Sequence, residues 1–459
     1  MFSLFNKAKK RIKEKLGILR VNKIKNEALS AVPFWIGSII TGLIAVLYAK
    51  LFYWVEEGTI YIIQHAAYLL LFITPMCFLF SWLIVKWFSP YSKGSGIPQV
   101  IASIELTNPK HNYKVNSLLS LRIIFIKIVS SLIMVFGGGM IGREGPTIQI
   151  GASVFKKISD ILPSWYPKVS RRNMIVTGAA AGLAAAFNTP LGGIVFAIEE
   201  LTKTHFSFFK SALLTGVIIS GLTALTILGP YLYLGYPQLE NIPTWIIILV
   251  FLTAIIAGLM GSLSGRLILL LLGKVKKLNK IPRVIYVILS GVIIASFAIF
   301  IDAGSIGSGK EIMLSTLFTS DKHVEWYIPI LRISGSIISF CSGASGGIFA
   351  PSLCSGATIG SLIASLFHLP GNESNLLILC GMAAFLTGIT RSPFTSSILV
   401  IEMTNSHFII FHLMLAALLA NIIASAVSRH SIYDYLKDNY IKEIHSDEKQ
   451  VETSGHVVT

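Results

Sequence analysis

The sequence predicts an all-α polytopic membrane protein of two inverted-topology repeats, each made of many tilted and broken helices. Three observations lead there. First, the chain of 459 residues is 53% hydrophobic and only 13% charged, about half the charged share of a soluble domain. Its mean hydropathy is +0.72, so it has too little polar surface to cover itself in water. Second, glycine and proline repeatedly cut its apolar segments. Third, one half of the chain recurs in the other.

Apolar segments run near 32–55, 61–88, 117–139, 174–198, 211–229, 244–273, 284–301, 327–341, 350–367, 375–390, 393–401 and 409–427. Two or three are long enough for a tilted crossing, and most fall short of the ~20 residues a straight one needs. Pro98, Pro146, Pro190, Pro351 and Pro393 break them. Irregular backbone is tolerated at membrane depth only inside protein or beside a water-filled cavity, so broken helices are expected to meet in the interior.

The repeat is explicit. Gly178–Glu199 (GAAAGLAAAFNTPLGGIVFAIE) aligns without a gap to Gly381–Glu402 (GMAAFLTGITRSPFTSSILVIE), with Gly178, Ala180, Ala181, Leu183, Pro190, Ile198 and Glu199 recurring 203 positions later. Upstream, Gly142–Ala152 (GREGPTIQIGA) matches Gly347–Ala357 (GIFAPSLCSGA) at an offset of 205. Hydropathy alone allows a parallel or an inverted repeat; paired broken helices favour the inverted one, with a site at the interface. The expected organisation is a basic segment 1–30, membrane repeats 31–205 and 206–430, and a short tail 431–459.

The net charge is +16, and nine Lys or Arg fall in the first 28 residues. In a membrane protein such a leader reads as a cytoplasmic flank under the positive-inside rule, not as a nucleic-acid arm. Phe2, Phe5, Ile12, Leu16 and Leu19 also suit an amphipathic helix on the inner leaflet. No signal-peptide core follows. The loop Gly273–Arg283, with five cations, is expected on the same side. Cys77, Cys341, Cys354 and Cys380 read as small buried hydrophobes. No metal-binding spacing occurs, and GSIGSGKE (Gly304–Glu311) misses the phosphate-loop pattern at its last position, so it reads as a flexible loop.

Three junctions carry glycines followed by a proline suited to a first helical turn: GSGIP (Gly94–Pro98), GREGP (Gly142–Pro146) and GGIFAP (Gly346–Pro351). Helix starts expose unpaired N–H groups and the positive end of the dipole, so several converging would hold an anion without a full positive charge and still let it leave. Ionisable residues embedded in apolar sequence are functional candidates: Lys127, Arg143, Glu144, Glu199, Glu200, Arg332, Arg391 and Glu402. Glu199 and Glu402 match across the repeat, which points to a structural role at a helix end. Glu200 faces Met403 in that alignment and Glu144 faces Phe349. A carboxylate at a helix start mimics an anion, so Glu144 could fill an anion site and leave when protonated.

These junctions in this order, together with GAAAGLAAAFNTPLGGIVFAIEE and SIYDYL (Ser431–Leu436), resemble the CLC chloride channel and transporter family over residues 30–440. The resemblance implies a homodimer with a separate pore in each subunit, lying in the lipid bilayer. It implies chloride contacts from Ser95, Tyr433 and the backbone of Ile348 and Phe349, with Gly94, Gly96, Pro98, Arg143 and Lys127 in support, Lys127 as a long-range electrostatic aid. Glu144 resembles the external gating glutamate. Glu200 resembles the internal proton-transfer glutamate of the exchanger branch. The implied activity is exchange of chloride for protons, with a passive chloride channel on the same fold as the alternative. No cofactor beyond the chloride substrate, no nucleic acid, no nucleotide-binding domain and no enzymatic activity are expected. An intramembrane hydrolase using the serines of SGASGG (Ser342–Gly347) lacks a well-placed base. The expected location is the cell inner membrane, with both termini cytoplasmic.

Overall fold

Each of the five helix-breaking prolines lies in the first turn of a helix, where its missing N–H costs nothing. The computed structural model describes residues 2–107, 114–202, 210–229, 232–320 and 322–455. The first half contains α1 (Phe2–Ala66), α2 (Leu70–Phe88), α3 (Ile97–Glu105), α4 (Val115–Leu118), α5 (Leu121–Phe136), α6 (Glu144–Ile161), α7 (Arg171–Phe187), α8 (Pro190–Phe196) and α9 (Lys210–Leu228). The second contains α10 (Ile247–Lys276), α11 (Lys280–Phe300), α12 (Lys310–Phe318), α13 (Ile328–Cys341), α14 (Phe349–Leu366), α15 (Gly371–Thr390), α16 (Pro393–Thr404) and α17 (Ile410–Val427). A last helix, α18 (Ile432–Gly455), returns to the middle of the molecule.

Among the described residues, eight helical stretches are long and apolar enough to cross a membrane. That exceeds the two or three expected from apolar runs, because helices continue past the polar residues that end each run: α10 carries on through Lys274 and Lys276. The expected gap between 55 and 61 is absent as well, and α1 runs unbroken through Pro33 to Ala66. Large apolar side chains such as Phe72 and Phe411 are exposed on the outer surface, as a surrounding of lipid requires.

The repeat is visible element by element. Helices α3 and α12 have nine residues each, and α6 and α14 eighteen each. Helices α7 and α15 both end on a residue in the left-handed region, Asn188 (φ 57°) and, 203 positions on, Arg391 (φ 66°). The hairpins α6–α7 and α14–α15 pack through matching glycines. A Cβ on Gly151 would come within 2.2 Å of the Gly178 carbonyl oxygen, and one on Gly356 equally close to that of Gly381. Small residues let backbones touch where lipid supplies no hydrophobic drive.

Glu199 and Glu402 do sit at helix ends, each serving the other half. The Glu199 carboxylate accepts from the N–H groups of Phe394 (3.2 Å) and Thr395 (2.7 Å) at the start of α16. Glu402 accepts from Leu191 (3.1 Å) and Gly192 (2.6 Å) at the start of α8. Each satisfies orphan amides and faces a positive dipole end.

Candidate functional site

The three glycine junctions are tied together by backbone. Gly94 N–H donates to the Ala344 carbonyl (2.8 Å) and Gly346 N–H to that of Gly94 (3.1 Å). Gly142 and Gly347 exchange both of their hydrogen bonds, at 2.8 and 2.7 Å. Helices α3, α6 and α14 therefore begin side by side in the interior.

Glycine is required at the start of α3. Gly96, the N-cap of α3, has φ 100°, and a Cβ there would lie 2.7 Å from the Gln149 side chain and 3.0 Å from Lys127 Nζ. Lys127 is fully buried on α5, and its ammonium donates to the carbonyls of Ser92 (3.1 Å) and Gly94 (3.0 Å). It thus contacts the turn directly. Pro98 occupies the first turn of α3.

Ser95, held by this turn, is buried and rests on Gly145, where a Cβ would lie 2.2 Å from Ser95 Oγ. Its hydroxyl and that of Tyr433, at the start of α18, face each other. They are close enough to act on each other, but neither oxygen meets full hydrogen-bond geometry with a partner among the described residues. Two buried hydroxyls without partners are costly unless something sits between them. The Tyr433 ring lies parallel to that of Phe349, centroids 6.4 Å apart and planes at 11°. Ile348 is the N-cap of α14 and Phe349 its first residue, so their amides belong to the turn that has no intrahelical acceptor.

Glu144, the first residue of α6, is 1% exposed. Its carboxylate folds back over Gly142 and faces the backbone amides of Glu144 and of Ala350, on the first turn of α14. It occupies the position an anion would take at two adjoining helix starts. Arg143, the N-cap of α6, reaches the Ala186 carbonyl at 3.5 Å.

Two cavities approach this point. One, of about 460 Å³, is lined by Glu144, Arg143, Glu56, Ser308, Lys310 and Tyr233 among others. The second, of about 500 Å³, reaches Gly94 and Ser95 between Lys86, Lys93, Lys276, Arg283 and residues of α18. Glu443 of α18 bridges Lys93 (3.1 Å) and Lys276 (2.8 Å) at its wall. The cavities end on neighbouring residues, since Ser95 packs on Gly145 next to Glu144.

Glu200 lies in a π-helical turn, Ala197–Thr202, and is 2% exposed. Its Oε2 accepts from Ser392 Oγ at 2.7 Å. Both Glu200 and Glu144 act electrostatically on Tyr433, so the phenol lies in the field of both acids. The structure thus gathers Ser95, Glu144, Ile348, Phe349 and Tyr433 at one point and leaves Glu200 buried beyond α8 against Ser392.

Two features escaped the sequence reading. Ser392 is one. The other is GSIGSGKE, which is a pinned turn and not a flexible loop. Arg332, fully buried, donates through Nη1 to the carbonyls of Ser305 (2.7 Å), Ile306 (3.4 Å) and Gly307 (3.1 Å). Ser308 N–H donates to Glu56 at 2.9 Å. Gly307 and Gly309 have positive φ (74° and 88°), as Gly94 and Gly96 do (64° and 100°). This is the second half's copy of GSGIP. The available signal was a buried cation 205 positions after Lys127 and a recurring Gly-Ser-Gly.

A helical membrane protein whose two halves direct helix starts at one interior point, approached by two cavities, is built as a pathway for small anions. The chain belongs to the voltage gated chloride channel family, which residues 77–425 match. It is 29% identical over 411 residues to the H(+)/Cl(-) exchange transporter ClcA of Cronobacter sakazakii, covering 86% of each chain. It is also 29% identical to the protein of that name from Citrobacter koseri, covering 86% of this chain and 85% of that one. Among solved structures, a slow cyanobacterial Cl-/H+ antiporter superposes with a TM-score of 0.79 at 25% identity, over 90% of this chain and 98% of that one. A eukaryotic CLC transporter shares the fold, with a TM-score of 0.73 at 20% identity over 89% of this chain and 74% of that one.

Proposed function

We propose that this protein exchanges chloride for protons across the cell inner membrane, without catalysing a covalent reaction and without a cofactor. The observation that carries the reading is the buried Glu144 carboxylate, folded over Gly142 beside Ala350 at the start of α14, with Oε2 left without a hydrogen-bond partner among the described residues. Chloride and this carboxylate compete for the same place. Protonation removes the carboxylate's charge and frees the seat; chloride arrival favours the displaced acid, which takes up a proton. Ser95, Tyr433 and the amides of Ile348 and Phe349 are the proposed chloride contacts, answering the two unfilled hydroxyls. Glu200 is the proposed acid for protons on the Ser95 side.

Lys276 and Arg283 of the Gly273–Arg283 loop line the Ser95 cavity, which supports a cytoplasmic mouth there under the positive-inside rule. Both termini are assigned to that side. A homodimer follows from the resemblance, and exposed Leu191, Leu222, Phe394 and Ile422 on α8, α9, α16 and α17 offer a surface for it.

The test is a paired flux measurement in reconstituted vesicles. An imposed chloride gradient should drive protons uphill. Chloride flux with no proton movement would establish the passive channel instead. Glu200→Gln should keep chloride flux and abolish proton pumping. Glu144→Gln should abolish pumping and leave chloride flux insensitive to pH.

A further inference from the structure

Ser392 stands directly before α16, is 2% exposed, and points its hydroxyl at Glu200 (2.7 Å). The repeat supplies an internal control. The matching residue 203 positions earlier is Thr189, directly before α8, while the match of Glu200 is Met403. Where no carboxylate exists, the hydroxyl has nothing to bind: Thr189 Oγ1 is buried with no hydrogen-bond partner among the described residues. The neighbouring acid, Glu199, is turned away and spent on the Phe394 and Thr395 amides. The hydroxyl at this corner is therefore a property of the scaffold, and only one copy meets an ionisable group.

We propose that Ser392 is a positioning residue for proton transfer, an inference that rests on the role proposed above for Glu200. A hydroxyl donates to a carboxylate and accepts from a carboxylic acid. Ser392 can thus hold the Glu200 carboxyl in one place through both protonation states. As the proton binds Oε2, the hydrogen bond reverses direction, and the Ser392 hydroxyl turns its own hydrogen away from the acid. Without it, the charged form loses a charge-assisted hydrogen bond in a buried site.

The experiment measures proton and chloride flux together in vesicles for Ser392→Ala, Ser392→Thr, Glu200→Gln and the double variant Ser392→Ala/Glu200→Gln. Ser392→Ala should keep chloride flux within about twofold and lower the protons moved per chloride about tenfold, the effect of one lost hydrogen bond to a charged group. Ser392→Thr should restore the ratio, since the first half already holds Thr at this corner. The double variant should match Glu200→Gln alone, because residues acting through one another are not additive. Normal coupling in Ser392→Ala overturns the proposal, as does failure of Thr to rescue it. Equal loss of both fluxes also overturns it, by showing a purely structural role. If Glu200→Gln itself couples normally, the underlying assignment of Glu200 has failed instead.

Discussion

In the first half a buried lysine, Lys127, holds the carbonyls of Ser92 and Gly94; in the second, Arg332 holds those of Ser305, Ile306 and Gly307. The two turns have the same left-handed glycines and each launches a nine-residue helix. Yet the second turn is stoppered by Glu56, which takes the Ser308 amide. The first is left open, with the Ser95 hydroxyl unpaired beside Tyr433. The same division recurs elsewhere. Glu199 and Glu402 match and do the same work. Glu144 and Glu200 face Phe349 and Met403 and do not. Symmetry is kept where backbone geometry has to be held and dropped at the two acids proposed to carry protons.

The comparison can be broken most directly at the buried cations. Arg332→Leu uncovers three carbonyls and should lower stability by about 3–5 kcal/mol; Lys127→Leu uncovers two and should cost about 2–3 kcal/mol. Unfolding in detergent should rank them in that order, and a harmless Arg332→Leu would show that the second turn needs no clamp. A smaller effect sharpens the symmetry. Glu199→Gln and Glu402→Gln should each cost about 1 kcal/mol as lost helix caps, and by nearly equal amounts. A large loss from one alone would mean that the caps are not equivalent.

The smallest effect belongs to α18. Burial alone would raise the Glu443 carboxyl, but Lys93 and Lys276 outweigh it and hold it below its ordinary value. A depressed acid stabilises above its unfolded pKa, about 4.3 for Glu, and loses that contribution as pH falls through the lower folded value. Both lysines are well exposed, 38% and 64%, so solvent screening limits the gain to about 1 kcal/mol or less. The melting difference between the native chain and Glu443→Gln should be present near neutral pH and close below about pH 4. A difference that persists in acid would assign the effect to packing.

Much of this was legible beforehand because local rules carried it. Gly-Pro junctions named the helix starts, and a fixed offset named the repeat and its two asymmetric acids. What escaped depended on contacts across the chain. Ser392 looks like any residue before a proline until Glu200 arrives beside it. GSIGSGKE lacks the proline that marks GSGIP, so its kinship rests on Arg332, which the sequence gives only as one more embedded charge. Span lengths were underread because hydropathy ends at the first lysine and hydrogen bonding does not.

The wall between the two cavities is as thin as the contact of Ser95 with Gly145. If water fills both cavities, nearly all of the membrane voltage drops across this wall, where 100 mV acts on a unit charge with about 2.3 kcal/mol. A carboxylate swinging at Glu144, or an ion hopping past it, then crosses most of the electric field in a single short step.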